Sequence, residues 1–230
     1  MNIIKERELI NEKKIIVYDF DKTIYDGETG VNFSTFYLKK YPLKSILFLI
    51  KYSKDLLFYL IKIINLTTLK ERYFEFLESH SREEIEKLVA DFWETKKHKI
   101  YPWIKSELEK NKKECEMVIV SSASPLFLIE KFLLSLGYDK VFGTNFVNDN
   151  KETFIAKIDG ENNKGDEKVK KLNEWAKQND FEYEIIKFYS DSLADKPLYD
   201  ISKKTYWIRN GAKLDGMPPR KTLFDKLFWK

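Results

Sequence analysis

Asp19 and Asp21 are two aspartates separated by a single residue. Of the residues in this chain, their type and spacing are the best suited to catalysis or to binding a cation. Side chains alternate along an extended chain, so residues two apart point the same way and their carboxylates converge. Converging carboxylates repel each other unless a cation, usually Mg²⁺, neutralises them. The pair therefore predicts a cation site, and the alternative is an ordinary strand end followed by an Asx-type turn with solvated aspartates.

The element that must position this pair is a buried strand. Residues 15–18 form an uninterrupted apolar run, Ile-Ile-Val-Tyr, next to charged residues. Such a run is typical of a strand buried on both faces of a parallel sheet. In open α/β sheets, ligands gather in the crevice outside the carboxyl ends of the strands. We therefore expect Asp19 and Asp21 at that edge.

Three later stretches also place polar residues at strand ends or at a helix start. Ser121 and Ser122 follow the apolar run 117–120, the Gly- and Lys-rich stretch 160–172 opens a helical pattern, and Asp191 follows the run 184–190. Taken singly, each stretch has an ordinary structural interpretation. Strand-end serines form turns, lysine-rich helix faces are solvated, and Asp-Ser-x-x-Asp is typical of a helix N-cap.

Together and in this order, these stretches resemble the four motifs of the haloacid dehalogenase superfamily of phosphotransferases. The first is Asp-Phe-Asp-Lys-Thr-Ile at 19–24, and the fourth is Asp-Ser-x-x-Asp-x-Pro-Leu at 191–198. The resemblance covers residues 15–208 and implies a Mg²⁺-dependent phosphatase. Its nearest subfamily includes phosphoserine phosphatases and enzymes of the phosphatidylglycerophosphatase C type.

The resemblance also implies roles for individual residues. Asp19 would be the nucleophile that takes up the phosphoryl group, and Asp21 the general acid and base. The hydroxyl of Ser121 and the backbone N–H of Ser122 would hold a phosphate oxygen. Asp19, the backbone carbonyl of Asp21 and Asp191 would bind Mg²⁺.

The lysine of the third motif has two candidates in the stretch 160–172. The form Gly-x-Glu-Lys-Val of the phosphatidylglycerophosphatase C type selects Lys168, which we favour because the whole string 165–169 fits it. Phosphoserine phosphatases place the lysine directly before the glycine, which selects Lys164.

The substrate stays open between two kinds of phosphate ester. Glu28 and Arg72 stand where phosphoserine phosphatases carry the residues that grip the amino group and the carboxylate of the substrate. An arginine fork suits a carboxylate or a second phosphate, and the two residues could equally form a surface pair. The third and fourth motifs, and the apolar segment 43–64, favour a lipid phosphate instead.

Strands alternating with helices predict an α/β fold, a Rossmann-like parallel sheet with helices on both faces. We expect a core domain formed by residues 1–27 and 97–230, interrupted after the first strand by an all-helical cap domain at 28–96, hereafter the cap. Further along the chain, a capping box at Ser81 predicts the start of one helix, and a second helix is expected to start after Pro102 and end near Asn111. A third helix should run from Leu126 to near Gly137. We then expect a strand at 140–144, a hairpin at 154–159, a helix at 166–178 and a last strand at 206–208.

Composition limits the remaining choices. A net charge of +4 over 230 residues, with acids among the lysines, argues against a dedicated nucleic-acid binder. The single cysteine, Cys115, excludes an internal disulfide and fits a reduced, cytoplasmic setting. The charged N-terminus has no apolar stretch of signal length, so we expect no leader peptide.

Two alternatives from other functional classes remain. One is a catalytically silent module that keeps the fold for binding or regulation, which the intact set of motif residues argues against. The other concerns the segment 43–64, whose charges interrupt it before it reaches the length of a membrane-spanning helix. That segment predicts a buried or partly exposed helical hairpin of the cap or, alternatively, a helix that makes peripheral contact with a membrane surface.

Overall fold

Strand β1 (Glu12–Tyr18) lies in the middle of the sheet, and its apolar residues alternate between two cores. Ile16 and Tyr18 pack into the larger apolar cluster, whereas Ile15 and Val17 pack into a smaller one on the other face. All four side chains are fully buried, which confirms the prediction of a strand covered on both faces. This structure is a computed structural model, and it describes residues 11–147 and 153–219.

Within these ranges the sheet has six strands in the order β3-β2-β1-β4-β5-β6. After β1, they are β2 (Met117–Pro125), β3 (Lys140–Thr144), β4 (Glu182–Ser190), β5 (Ser202–Arg209) and β6 (Ala212–Asp215). Only the β5–β6 pair is antiparallel among these strands, so the predicted parallel α/β core is confirmed. The carboxyl ends of β1, β2 and β4 consequently meet at one edge.

The helices divide into those of the cap and those that follow it. The cap contains α1 (Thr29–Lys40), α2 (Pro42–Leu60), α3 (Leu66–Phe74) and α4 (Arg82–Lys96). The helices that follow are α5 (Ile104–Asn111), α6 (Leu126–Leu136), α7 (Asp166–Gln178) and α8 (Lys196–Asp200). Short 3₁₀ turns occupy Glu75–Leu77, Lys97–Lys99 and Leu193–Asp195.

The chain leaves the sheet for α1–α4 and returns to it along a neighbouring path. Backbone hydrogen bonds join the two crossings, from Asp26 N to Lys99 O at 2.8 Å and from Tyr101 N to Ile24 O at 3.0 Å. The cap also packs on α6, because the indole of Trp93 donates to Leu128 O and stacks on Phe132. The larger apolar cluster therefore runs from the sheet into the cap. The division at residues 28 and 96 stays a prediction.

Several local predictions are confirmed by the structure. Ser81 and Glu84 form the capping box of α4, and Gly137 ends α6 in the left-handed conformation, with a φ of 102°. The helix expected after Pro102 is α5, and α7 has the expected bounds.

Other local predictions were wrong. The strand at 206–208 is not the last, because the chain turns back as β6. Residues 154–159 form no strand of a hairpin; among the described residues, Ile158 makes an isolated antiparallel bridge to Phe146. Residues 148–152 lie outside the described part. The apolar helix ends at Leu60 rather than near 64, just before Lys62 takes a left-handed φ of 61°.

No helix in the described part of the chain is long and apolar enough to cross a membrane.

Candidate active site

The carboxyl ends of neighbouring strands bring Asp19 and Asp191 together. Asp19 directly follows β1 and Asp191 directly follows β4, and the register pairs Tyr18 with Tyr189. Both aspartates line a cavity of about 220 Å³, which we call the edge cavity. Its remaining lining residues are Asp21, Lys22, Glu28, Ser122, Ala123, Lys164, Lys168, Ser192, Ala194 and Asp195.

Lys168 holds two carboxylates at the floor of the edge cavity. Its Nζ lies 2.7 Å from Asp19 Oδ1 and 2.7 Å from Asp195 Oδ1, and all three side chains are buried. Lys168 reaches them because it lies in the first turn of α7. Lys164 lines the same cavity but is exposed. The structure thus places Lys168, rather than Lys164, against Asp19.

The charges of the edge cavity do not balance, since five carboxylates line it against three ammonium groups. Burial raises the pKa of Asp19, and the charges of Asp195 and Asp191 raise it further against the opposing effect of Lys168. Burial also raises the pKa of Asp191, to about 6. Burial alone would lower the pKa of Lys168, but Asp19 and Asp195 outweigh it and raise that pKa. The site therefore favours an additional cation.

Asp21 is held by donors from two other elements. Its Oδ1 accepts from the backbone N–H of Thr29 at 2.9 Å and from the Thr29 hydroxyl, at the first turn of α1. Its Oδ2 accepts from Ser124 Oγ at 2.6 Å. Burial raises the pKa of Asp21, although these hydrogen bonds oppose the rise. A fixed carboxyl group with a raised pKa is suited to exchanging a proton.

Thr23 links the turn that follows β1 to the end of β4. Its hydroxyl oxygen accepts from the backbone N–H of Asp191 at 2.9 Å and lies 3.5 Å from Asp19 Oδ2. Lys22 takes a left-handed φ of 57°, a strained conformation for a residue with a side chain, and its ammonium pairs with Glu28. The turn after β1 is therefore held by specific side-chain contacts, and it is not a solvated Asx turn.

Ser121 and Ser122 differ in their access to the edge cavity. Ser122 lines it, whereas Ser121 is fully buried and is not among the lining residues. Asn163 ties this segment down, because its amide donates to Ser121 Oγ at 3.3 Å and to Ser122 O at 2.9 Å. Asn163 belongs to the stretch 160–172, but its contact with the serines could not be read from that stretch.

A second cavity, of about 320 Å³, adjoins the first, and we call it the cap-side cavity. It shares Asp21, Glu28, Ala123 and Lys164 with the edge cavity. Its other lining residues come mainly from the cap and are mostly apolar: Gly30, Val31, Tyr52, Leu66, Leu69, Lys70, Tyr73, Phe74, Ser124, Pro125 and Asn162. Of the two residues expected to grip a substrate, the structure brings Glu28 to the site.

Arg72, the other one, lies elsewhere. Its guanidinium donates to Asp55 of α2 at 2.6 Å, and it lines neither cavity. Lys70 of α3 points to the site instead, because residues two apart on a helix point about 200° apart. Its ammonium donates to Ala123 O, to Thr144 Oγ1 at 3.0 Å and to Asn162 Oδ1 at 2.8 Å.

Lys70, Ser124, Thr29 and Asn163 were not identified from the sequence. Polar side chains of these types are common on loops and helix starts, and nothing in their spacing distinguishes them. Their role depends on which elements pack together.

The oxygen ligands expected for Mg²⁺ are a sparse set. In residues 11–147 and 153–219, no group of three or more His, Cys, Asp or Glu side chains is arranged to hold a metal ion. The expected set has two carboxylates, Asp19 and Asp191, with one backbone carbonyl. Mg²⁺ usually keeps several waters and needs only one or two carboxylates, so this set fits it.

Comparisons with known proteins agree with the fold. A family model described as haloacid dehalogenase-like hydrolase matches residues 16–200. Among solved structures, a protein of unknown function from Bordetella pertussis Tohama I is 15% identical, with a TM-score of 0.73, over 84% of this chain and 88% of that chain.

A phospho-aspartyl intermediate analogue of phosphoserine phosphatase is 17% identical, with a TM-score of 0.58, over 94% of this chain and 98% of that chain. A phosphoserine phosphohydrolase-like protein from Francisella tularensis subsp. tularensis SCHU S4 is 17% identical, with a TM-score of 0.54, over 84% and 85%. No curated protein matches the chain in sequence. At these identities, the solved structures establish a shared fold.

Proposed function

The chain belongs to the haloacid dehalogenase-like hydrolase family, and from that premise we propose that it hydrolyses phosphate monoesters through a phosphoryl group carried on Asp19. The observation that carries the proposal is the contact between Lys168 and Asp19 at the carboxyl end of β1. A buried lysine that fixes one oxygen of a buried carboxylate orients that carboxylate toward the cavity. The same ammonium would also attract the anionic substrate.

In the first step, a carboxylate oxygen of Asp19 attacks phosphorus and forms a new P–O bond. The bond between phosphorus and the ester oxygen breaks, and the leaving alkoxide takes a proton from Asp21. The raised pKa of Asp21 supports this role, because it keeps a proton available on the acid. Thr29 and Ser124 position the carboxyl group that donates it.

In the second step, Asp21 takes a proton from a water molecule, which attacks the phosphoryl group on Asp19. The P–O bond to Asp19 breaks, inorganic phosphate leaves, and Asp19 returns as a carboxylate. Ser122 at the cavity wall and the ammonium of Lys168 would hold the equatorial phosphate oxygens. Ser121 would contribute from beneath, beside Asn163.

Mg²⁺ would be held by Asp19, Asp191 and the backbone carbonyl of Asp21. When bound, it would neutralise charge on the transferring phosphoryl group and reduce its repulsion by the carboxylates. The excess of carboxylates over ammonium groups, and the raised pKa of Asp191, support a cation at this place.

The organic part of the substrate would occupy the cap-side cavity, which adjoins Asp21 and therefore the leaving oxygen. A phosphoserine-like ester could use Glu28 for its amino group. The apolar wall formed by Leu66, Leu69 and Tyr73 suits a less polar ester, including a lipid phosphate. Arg72 takes no part in this proposal.

The test is Mg²⁺-dependent phosphate release from p-nitrophenyl phosphate, phosphoserine, phosphatidylglycerophosphate and soluble sugar and nucleotide phosphates. We expect turnover that Asp19→Asn lowers by at least about 10³-fold, whereas Asp166→Asn, an exposed position, leaves it unchanged. Circular dichroism checks that both variants fold. If the wild-type protein turns over none of these esters, a catalytically silent module replaces the proposal.

A further inference from the structure

Helix α2 presents apolar side chains to solvent along one side. Its outer face is formed by Ile46, Leu49, Ile50, Leu56, Leu57 and Leu60, each between 38% and 67% exposed. Of the sixteen exposed large apolar side chains in the described part of the protein, ten lie between residues 43 and 66. Isolated exposed leucines are common on protein surfaces, but a cluster of this kind marks an interaction site.

The outer face is one stripe of an amphipathic helix, since its positions recur at intervals of three and four residues. The opposite side of α2 already supplies the contacts that hold the helix in the cap. Phe48 and Tyr52 pack against Tyr73, with ring centroids 5.7 Å and 4.8 Å apart. The stripe of Leu and Ile therefore contributes little to the packing of the cap in this structure.

The exposed charged side chains of α2 are all positive. The only acidic residue of the helix, Asp55, is buried against Arg72. Lys54 is exposed beside the outer face, four residues after Ile50 and three before Leu57, and the exposed Lys62 follows the end of the helix. The ammonium of Lys54 lies 5.3 Å from the ring of Phe58, and that of Lys51 pairs with Glu75 of the cap. The outer face is thus bordered by positive charge, without an exposed acid on the same helix.

We propose that the outer face of α2 docks on a lipid bilayer that contains anionic lipids. Apolar side chains would enter the interface between headgroups and acyl chains, and the bordering lysines would contact the anionic headgroups. The composition favours lipid over protein as the partner. Protein interfaces concentrate binding energy in Trp, Tyr and Arg and are depleted in lysine, whereas this face is aliphatic with a lysine border.

The cap-side cavity lies on the other side of α2, because Tyr52, which packs into the cap opposite the outer face, lines it. The proposal does not depend on catalysis, and its failure leaves the proposed function unaffected.

The test is sedimentation of the full chain with sucrose-loaded vesicles, either pure phosphatidylcholine or an equimolar mixture with phosphatidylglycerol. We expect binding to the mixed vesicles, and a loss of at least about tenfold in the partition coefficient for the double variant Ile50→Glu/Leu57→Glu. The matched variant Leu134→Glu/Ile201→Glu changes two exposed apolar residues away from α2 and should bind like the wild type.

A charge reversal at the border of the face, Lys54→Glu, should weaken binding to the mixed vesicles by roughly severalfold. Thermal melting and hydrolysis of soluble p-nitrophenyl phosphate, measured on the same samples, show that the α2 variants fold and keep their cavities. A wild-type protein that does not sediment, or an Ile50→Glu/Leu57→Glu variant that binds equally well, overturns the proposal. So does a wild-type dimer that this variant dissociates without any vesicle binding, because the face would then join two copies of the chain.

Discussion

Nζ of Lys168 lies 2.7 Å from Oδ1 of Asp19, although the two residues are 149 positions apart in the chain. The contact joins the first turn of α7 to the end of β1 beneath the edge cavity. It distinguishes Lys168 from Lys164, which the sequence motif could not do alone.

Replacing each lysine by methionine tests this distinction. Lys168→Met should lower kcat/KM by about 10²- to 10³-fold, because a charged donor aimed at the phosphoryl group is lost. It should also destabilise the protein, by about 3 kcal/mol, because Asp19 and Asp195 lose their buried partner. Lys164→Met serves as the control and should change kcat/KM far less. Steady-state kinetics and urea unfolding would measure both effects. A larger loss of kcat/KM in Lys164→Met than in Lys168→Met would identify Lys164 as the motif lysine.

The ion pair between Arg72 and Asp55 predicts a structural rather than a substrate-binding role. Arg72→Met leaves the buried Asp55 carboxylate without its partner and should lower the free energy of unfolding by about 1–3 kcal/mol. Asp55→Asn in the same chain should recover part of this loss, because the unpaired charge is removed. KM for phosphoserine should stay within about twofold, since a residue that does not touch substrate leaves binding unchanged. A large rise in KM without loss of stability would return Arg72 to the substrate site.

Glu28 provides a test of the substrate class. If a phosphoserine-like ester is the substrate, Glu28→Gln should raise KM for phosphoserine about tenfold or more, because its amino group loses an ionic partner. KM for p-nitrophenyl phosphate, which has no amino group, should change little and is the internal control. Loss of the exposed Lys22–Glu28 pair should barely alter stability. An equal effect on both esters would argue against recognition of an amino group.

Lys70 should make stability depend on pH. Burial lowers its pKa to about 7, whereas an unfolded lysine titrates near 10.4. Between these values the unfolded chain binds more protons than the folded one, so the contribution of Lys70 to the free energy of unfolding rises with pH. This contribution is absent in Lys70→Met.

Urea unfolding at about pH 6 and about pH 9 measures this effect as wild-type stability minus variant stability. We expect that difference to increase toward the higher pH by on the order of 1 kcal/mol. Lys105→Met, at an exposed position of α5, gives the background. A difference that stays constant or falls with pH would contradict the lowered pKa.

Removal of the metal ion tests whether the carboxylates of the edge cavity bind Mg²⁺. Chelation should abolish phosphatase activity, and Mg²⁺ should restore it and raise the melting temperature, because ligand binding stabilises the folded state. Asp191→Asn should reduce the Mg²⁺-induced shift, whereas Asp200→Asn, on α8, should not. A shift that is the same in both variants would place the cation elsewhere.

Local physics explains which elements could be predicted. β1 was identifiable because an uninterrupted apolar run has few alternatives, and α6 because a glycine follows its last apolar residue. β6 was missed because its alternation, Ala-Lys-Leu-Asp, covers only four residues, all of them exposed. Its pairing with β5 depends on the backbone of a neighbour, which periodicity does not report.

By itself, the sequence determined the family, the strand that ends in Asp19 and Asp21, and the stretches that supply Ser122, Lys168 and Asp191. These follow from short-range patterns, since alternation and strand ends are properties of neighbouring residues. Tertiary structure decided that Lys70 faces the site while Arg72 pairs with Asp55, and that the outer face of α2 meets solvent. An amphipathic pattern specifies that a helix has an apolar side, but the packing of other elements decides whether that side is covered.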